Sequence, residues 1–224
     1  MKRAVKSPRK YDASRRQEQA RATRLAVIRV AQKLFVEQGY GRTTMNDIAA
    51  AAGVSVEMVY ANFRNKPTLL HHVWDITIGG DDEEVVFHER PEVKAIRAEP
   101  DLAKRLKLHA AFSTQTARRI APFLLALHGA AASEPSAAAM LEEIGRQRLA
   151  GLGVMAAEAA KTGQLAVPEE ECRDVLWALT DGMLWHRLVS ERGWTDERFA
   201  AWLGEVWAHM LVQRPTRKRP TASG

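Results

Sequence analysis

Cysteine is almost absent from this 224-residue chain, and the one present, Cys172, has no partner for an internal disulfide. Stability must come from packing, and a reducing, cytoplasmic setting is the expected location. Long apolar runs are missing too. The most apolar stretch, residues 120–132, is interrupted by Pro122, His128 and Gly129 and falls short of the roughly twenty residues that span a bilayer. No membrane association is expected. The amino terminus, MKRAVKSPRKYDASRR, is basic, but no apolar core of about seven residues follows it, so it does not read as a signal peptide. Aromatic residues make up only 7% of the chain and β-branched runs are scarce, which leaves Ala, Leu, Glu and Arg to favour helix throughout. Metal-site spacing is absent: none of His71, His72, His88, His109, His128, His186 and His209 forms an i, i+4 pair. No G-x-S-x-G, Walker loop, dinucleotide fingerprint or Cys-x-x-Cys occurs, and Asp81 to Glu84 read as an exposed acidic loop. An enzyme, a metal site and a cofactor are therefore not expected.

What the chain does have is an uneven distribution of charge. Residues 1–66 hold 14 Lys/Arg against 5 Asp/Glu, a net of +9; residues 67–213 hold 15 against 22, a net of −7; residues 214–224 add 4 cations. The positive potential is thus concentrated at one end, as a polyanion-binding head requires. Residues 1–16 and the tail 214–224 carry almost no large apolar group and are expected to be disordered. Arg9, Lys10, Arg15 and Arg16 could follow a duplex backbone or enter a minor groove from such an arm.

Residues 25–66 contain three helical patterns separated by tight turns. Leu25, Ile28, Ala31, Leu34 and Phe35 fall on one apolar face, and Gly39 suits a left-handed C-terminal cap. Thr44 followed by Asp47 is a capping-box pattern that opens a second helix, Met45 to Ala52. Gly53 breaks that helix, and Ser55 is a good N-cap for a third, running to about Asn62. This arrangement reads as a helix-turn-helix whose third helix enters the major groove of double-stranded DNA.

At Gly39-Tyr40, Thr43-Thr44, Ile48-Ala49, Ala52-Gly53-Val54-Ser55, Tyr60, Phe63, Lys66 and Leu69 the sequence resembles the TetR family of bacterial transcriptional regulators. The specific likeness, Leu34 to Leu70, covers about a fifth of the chain; beyond it the likeness is one of helical architecture and length. The resemblance implies an all-α fold of about nine helices: a three-helix DNA-binding head, residues 17–66, followed by a larger helical effector-binding and dimerisation domain, residues 67–213. By this likeness Arg42, Thr43, Thr44, Ser55, Val56, Glu57, Met58, Tyr60, Asn62 and Lys66 are the DNA-binding candidates. Val56 and Met58 suit thymine methyls and Glu57 a cytosine amino group, while Tyr60, Asn62, Thr44 and Lys66 meet the backbone in the family pattern. Glu57-Met58 stands where the family's commonest pair is Gly-Thr, so a relative's operator cannot be transferred.

Later helices are expected from Lys66-Pro67 to Gly79, from near Asp101 to a break at Pro122, then through Leu124, Leu125 and Leu127, after Ser133, after Pro168, and after Thr195. The last carries Phe199, Trp202, Leu203, Val206, Trp207, Met210 and Leu211 at helical spacing, and the one before it has apolar residues on two sides. Two such faces need two partners. The resemblance implies a homodimer built as a four-helix bundle, with Leu184, Leu188, Phe199, Trp202, Val206, Trp207 and Met210 as interface candidates. It also implies an apolar cavity in the second domain. Trp74, His109, Phe112, Phe123, His128, Trp177, Met183 and His186 are candidate lining residues for an apolar or aromatic small molecule with one or two polar groups. The function expected is a ligand-responsive dimeric repressor released from a palindromic operator; the alternative is a constitutive DNA-binding protein or activator whose second domain only dimerises.

Overall fold

The computed structural model describes residues 10–80 and 90–213. The acidic loop Asp81 to Glu84, His88, the first nine residues and the tail 214–224 lie outside these. Among the described residues the chain is all-α, with ten helices and a single isolated bridge pair, Leu165 with Val212. In order they are α1 (Lys10–Glu37), α2 (Met45–Ala52), α3 (Val56–Phe63), α4 (Lys66–Gly79), α5 (Pro91–Ala98), α6 (Leu102–Ala130), α7 (Pro135–Ala160), α8 (Glu169–Leu179), α9 (Met183–Trp185) and α10 (Asp196–Leu211). A π-helical stretch, His186–Glu191, continues α9.

Three differences from the sequence reading have local causes. First, α1 begins at Lys10, so residues 10–16, expected in a disordered arm, are helical. Second, Pro122 does not end a helix but lies inside α6. An interior proline costs about 3 kcal/mol because one backbone hydrogen bond is lost. Ile120, Ala121, Phe123, Leu124 and Leu127 around it are all buried, and each large apolar side chain so buried contributes about 1.5–3 kcal/mol. Pro122 itself faces outward, where water can take the freed carbonyl. Packing thus outweighs the local break. Third, the helix expected after Pro168 is divided: α8 stops at Leu179, and Gly182 adopts φ 82° before α9 starts. With α5 also present, the count becomes ten rather than nine.

The chain divides into two compact units. One holds residues 10–80 together with Leu125–Met140; the other holds residues 90–124 and 141–213. The last turns of α6, from Leu125, and the start of α7 therefore pack with α1 to α4, and α4 lies in this unit, whereas the sequence reading places the boundary before it, at residue 66. The core of the first unit joins Val27, Ile28, Ala31, Leu34 and Phe35 of α1 to Ile48 of α2, Val59 and Phe63 of α3, and Leu69, Leu70 and Val73 of α4. Phe35 and Tyr40 meet edge to face at 5.0 Å.

In the second unit, Leu102, Leu106 and Ala110 of α6 pack with Leu152 and Ala156 of α7, Cys172 and Leu176 of α8, and Phe199, Leu203, Trp207 and Leu211 of α10. Helix α10 packs tightly on α6 at Gly204. A side chain there would lie 3.1 Å from Cα and Cγ of Lys107, tighter than real contacts usually are. Gly204→Val must push the helices apart and is expected to cost about 1–3 kcal/mol, read as a lower urea midpoint at unchanged m-value.

Candidate nucleic-acid interface

The head's helices start where side chains satisfy their open N–H groups. The Thr44 hydroxyl accepts from the Asp47 amide at 3.2 Å, while the Thr44 amide and hydroxyl donate to the Asp47 carboxylate at 2.9 and 2.7 Å. These bonds hold the Asp47 carboxyl below its usual range. The Ser55 hydroxyl accepts from Met58 N–H at 3.2 Å and caps α3, and the Asn65 side chain accepts from Thr68 N–H at 2.8 Å and caps α4. Gly53, at φ 67°, closes α2 and turns the chain toward α3. The capping box and both turns agree with the sequence reading.

Helix α3 is seated by Val59 and Phe63, which are fully buried one turn apart. Its other face is open. Glu57 is exposed, Met58 is 43% and Tyr60 49% exposed, and Val56 is half-buried at the first turn. A helix of this size that leaves a methionine and a tyrosine in water presents a surface suited to base edges and methyl groups. The Asn62 side chain donates to the Met58 carbonyl at 2.8 Å, which ties its amide to the helix itself. Arg42 is exposed and donates through Nε to the Gln38 carbonyl at 2.7 Å, so the outer nitrogens of its guanidinium point away from that bond.

One expected residue is not available. Thr43 is fully buried, and its hydroxyl donates toward the carbonyls of Gly39 and Leu34 at 3.0 and 3.3 Å, satisfying the end of α1. It is a core residue, whereas its neighbour Thr44 is exposed. Conversely, Arg64, which the sequence reading does not single out, lies exposed beside α3. It sits just past α3 at φ 59° and ψ −49°, with Asn65 N–H donating to the Phe63 carbonyl at 2.5 Å, a left-handed γ-turn that places a cation beside this helix. The visible signal was a lone arginine between the α3 pattern and Lys66.

Behind α3, Arg24 of α1 lies 5.5 Å over the Phe63 ring and donates to His72 of α4 at 3.0 Å, and His72 meets Phe63 edge to face at 5.7 Å. Burial, reinforced by the Arg24 charge, lowers the His72 pKa. Lys66 is half-buried: its ammonium lies 4.2 Å over the Tyr40 ring and donates to the Gly41 carbonyl at 3.4 Å. Burial lowers its pKa, against the opposing pull of Glu134.

The candidate effector residues fall in both units. Trp74 and His128 belong to the first unit, Trp74 buried and His128 exposed. In the second, His109 is buried and stacked on Trp207 at 5.4 Å, Phe123 is buried, Phe112, Met183 and His186 are half-buried, and Trp177 is 39% exposed with the Arg148 guanidinium 4.8 Å over its ring. His186 faces Glu191 at 3.3 Å.

The α10 stripe separates into two rows. Phe199, Leu203, Trp207 and Leu211 face their own core, so Phe199 and Trp207, expected at a subunit interface, are spent within the chain. Trp202 and Val206 are half-buried and Met210 is 47% exposed; with Glu205 and His209 they line a shallow surface groove. Leu184 and Leu188 are half-buried against the core. Among the described residues no cluster of His, Cys, Asp or Glu is disposed to hold a metal ion, and no helix is long and apolar enough to cross a membrane.

Residues 27–73 match the family model described as bacterial regulatory proteins, tetR family. The HTH-type transcriptional regulator AcrR of Shigella flexneri is 34% identical over 65 residues, 29% of this chain and 30% of that protein. A probable acrEF/envCD operon repressor of Escherichia coli is 39% identical over 62 residues, 28% of each chain. The chain thus matches less than a third of the length of these relatives. Over most of the chain the fold is that of NalD, the secondary repressor of the MexAB-OprM multidrug efflux pump in Pseudomonas aeruginosa, at TM-score 0.62 and 22% identity, covering 86% of this chain and 98% of NalD.

Proposed function

We propose that this chain, whose amino-terminal domain belongs to the tetR family of bacterial regulatory proteins, is a homodimeric transcriptional repressor that binds a palindromic operator and is released by a small apolar or aromatic effector. The observation that carries the reading is the open face of α3, where Glu57, Met58 and Tyr60 stand in solvent on a helix anchored by Val59 and Phe63. The surrounding charge supports it. Residues 1–66 are net +9, and Arg15, Arg16, Arg42 and Arg64 are all exposed on this unit.

Dimerisation is supported by the outward row Trp202, Val206 and Met210, an apolar strip with a tryptophan at its head. One eight-residue reader contacts too few base pairs for high specificity, whereas two of them a helical turn of DNA apart, about 34 Å, double the site. Repression is favoured because the relatives include a probable operon repressor. An effector of apolar or aromatic character suits the second unit, whose interior is lined with Leu, Ala, Phe and Trp and relieved by the buried polar groups of His109, Thr114 and Thr116. Binding in that unit weakens DNA affinity if the ligand prefers a different arrangement of the dimer, and DNA must weaken ligand binding by the same factor.

The test is to select bound fragments from the source genome with purified protein, then measure oligomeric state and affinity on the recovered palindrome. A chain that remains a single subunit at micromolar concentration, or that grips random and selected duplexes alike at physiological salt, refutes the proposal. Operator affinity indifferent to every apolar or aromatic compound tried would leave the constitutive alternative instead.

Glu57 offers a sharper check. A carboxylate at the first turn of a recognition helix accepts from a cytosine amino group, and that contact discriminates by about 1–3 kcal/mol. Glu57→Ala is expected to relax preference at one base pair per half-site, measured by competition among single-position operator variants. A uniform change across all variants would assign Glu57 to the helix dipole alone.

A further inference from the structure

The turn between α6 and α7 belongs to the head unit, and it meets the α1–α2 turn through named contacts. The hydroxyls of Tyr40 and Ser136 are 2.8 Å apart, and Tyr40 is fully buried. Glu134 lies one residue before α7, held by its amide donating to the Ala130 carbonyl at 2.9 Å. Its Oε1 and Cγ stand 3.4 and 3.5 Å from the point where a side chain on Gly41 would begin. On the same glycine, the Lys66 ammonium reaches the Gly41 carbonyl at 3.4 Å and covers the Tyr40 ring at 4.2 Å. One lysine, one carboxylate and one aromatic face therefore converge on Gly41, at the edge of the surface assigned to DNA. The Glu134 charge acts on both Lys66 and Tyr40 in the sense of a nearby anion.

We infer that Glu134 is a positioning residue for Lys66: its carboxylate draws the ammonium back against Tyr40 and Gly41 and so reduces the phosphate affinity that Lys66 supplies. The inference rests on the reading of this unit as a DNA-binding head. A lysine shared between a carboxylate and a phosphate gives each less than it would give alone. The Tyr40–Ser136 hydrogen bond keeps the turn in place, so that the competing charge stays at a set distance. Because phosphate contacts carry no sequence information, the effect is on affinity and salt dependence and not on base preference.

The experiment uses the full chain and a palindromic duplex that the wild-type protein has itself selected from random sequence. Glu134→Gln keeps shape and removes charge; it is expected to bind that duplex and an unrelated duplex about three- to tenfold more tightly, by the same factor, with a log–log salt slope steeper by about one. Glu134→Asp, which keeps the charge, is expected to behave as wild type. In a Lys66→Met background, where the chain still covers Tyr40, Glu134→Gln should change nothing, and thermal melting confirms that each variant is folded. Wild-type affinity and slope in Glu134→Gln, a gain that survives Lys66→Met, or an equal gain in Glu134→Asp overturns the inference while the DNA-binding reading stands. A wild-type chain that selects no duplex overturns both.

Discussion

Phe63→Ala is expected to abolish the proposed DNA binding by unseating α3, with a loss of about 3–5 kcal/mol from the head unit. Phe63 closes the inward face of α3, is fully buried, and carries two further partners: the Arg24 guanidinium over its ring and the His72 edge against it. Truncation to alanine removes both ring contacts and leaves a cavity beneath an eight-residue helix whose intrinsic stability is negligible at that length. Little else would hold α3, since Val59 is its one other buried residue. Phe63→Leu, which keeps most of the volume, is expected to cost only about 1–1.5 kcal/mol and to retain measurable binding to the selected duplex. Circular dichroism with denaturant, together with titration of the duplex, checks both variants. Tight binding by Phe63→Ala would show that α3 is not the reader.

A second large effect is expected from acid. His109 is buried against Trp207 in the second unit, and burial pushes its pKa down to about 4, from an ordinary value near 6.5. Between those two values the unfolded chain takes up a proton that the folded chain refuses. The unfolded state then binds more protons, so stability falls as pH falls from about 6.5 toward 4 and levels off below that. A shift of this size corresponds to about 3 kcal/mol lost across the window. Carboxylates held below their usual range, such as Asp47 and Glu197, also give up stability in acid, but at lower pH. His109→Gln cannot take up the proton, so the difference between wild type and this variant isolates the histidine. Urea midpoints at pH 7 and pH 4.5 supply the measurement. A wild type and variant that lose stability in parallel would place the acid sensitivity elsewhere.

Most of the head was legible in the sequence because its signals are short-range. Thr44 with Asp47, Ser55, Gly53 and Gly39 act on backbone groups three or four residues away, and those pairings form whatever the rest of the chain does. The stripe Leu25 to Phe35 likewise needs only the helical repeat. The sequence does not single out Arg64, because its place beside α3 depends on a left-handed turn that no local rule assigns to arginine. The candidate effector residues are bulky or polar groups in helical stretches. Sequence spacing does not tell a cavity wall from a packed core, and the set is accordingly divided between two units.

The sequence by itself determined that the chain is helical, that a basic head carries a helix-turn-helix, and where its three caps lie, because each of these depends on hydrogen bonds and periodicity within a turn or two. Tertiary structure decided which of two adjacent threonines is buried, with Thr43 sealed against the end of α1 and Thr44 left at the surface. It decided that Pro122 sits within a continuous α6, since burial of its neighbours outweighs the missing bond. It also divided the α10 stripe, turning Phe199 and Trp207 inward and leaving Trp202, Val206 and Met210 toward solvent. In all three cases the deciding free energy comes from residues distant in the chain, whose approach the local pattern does not encode.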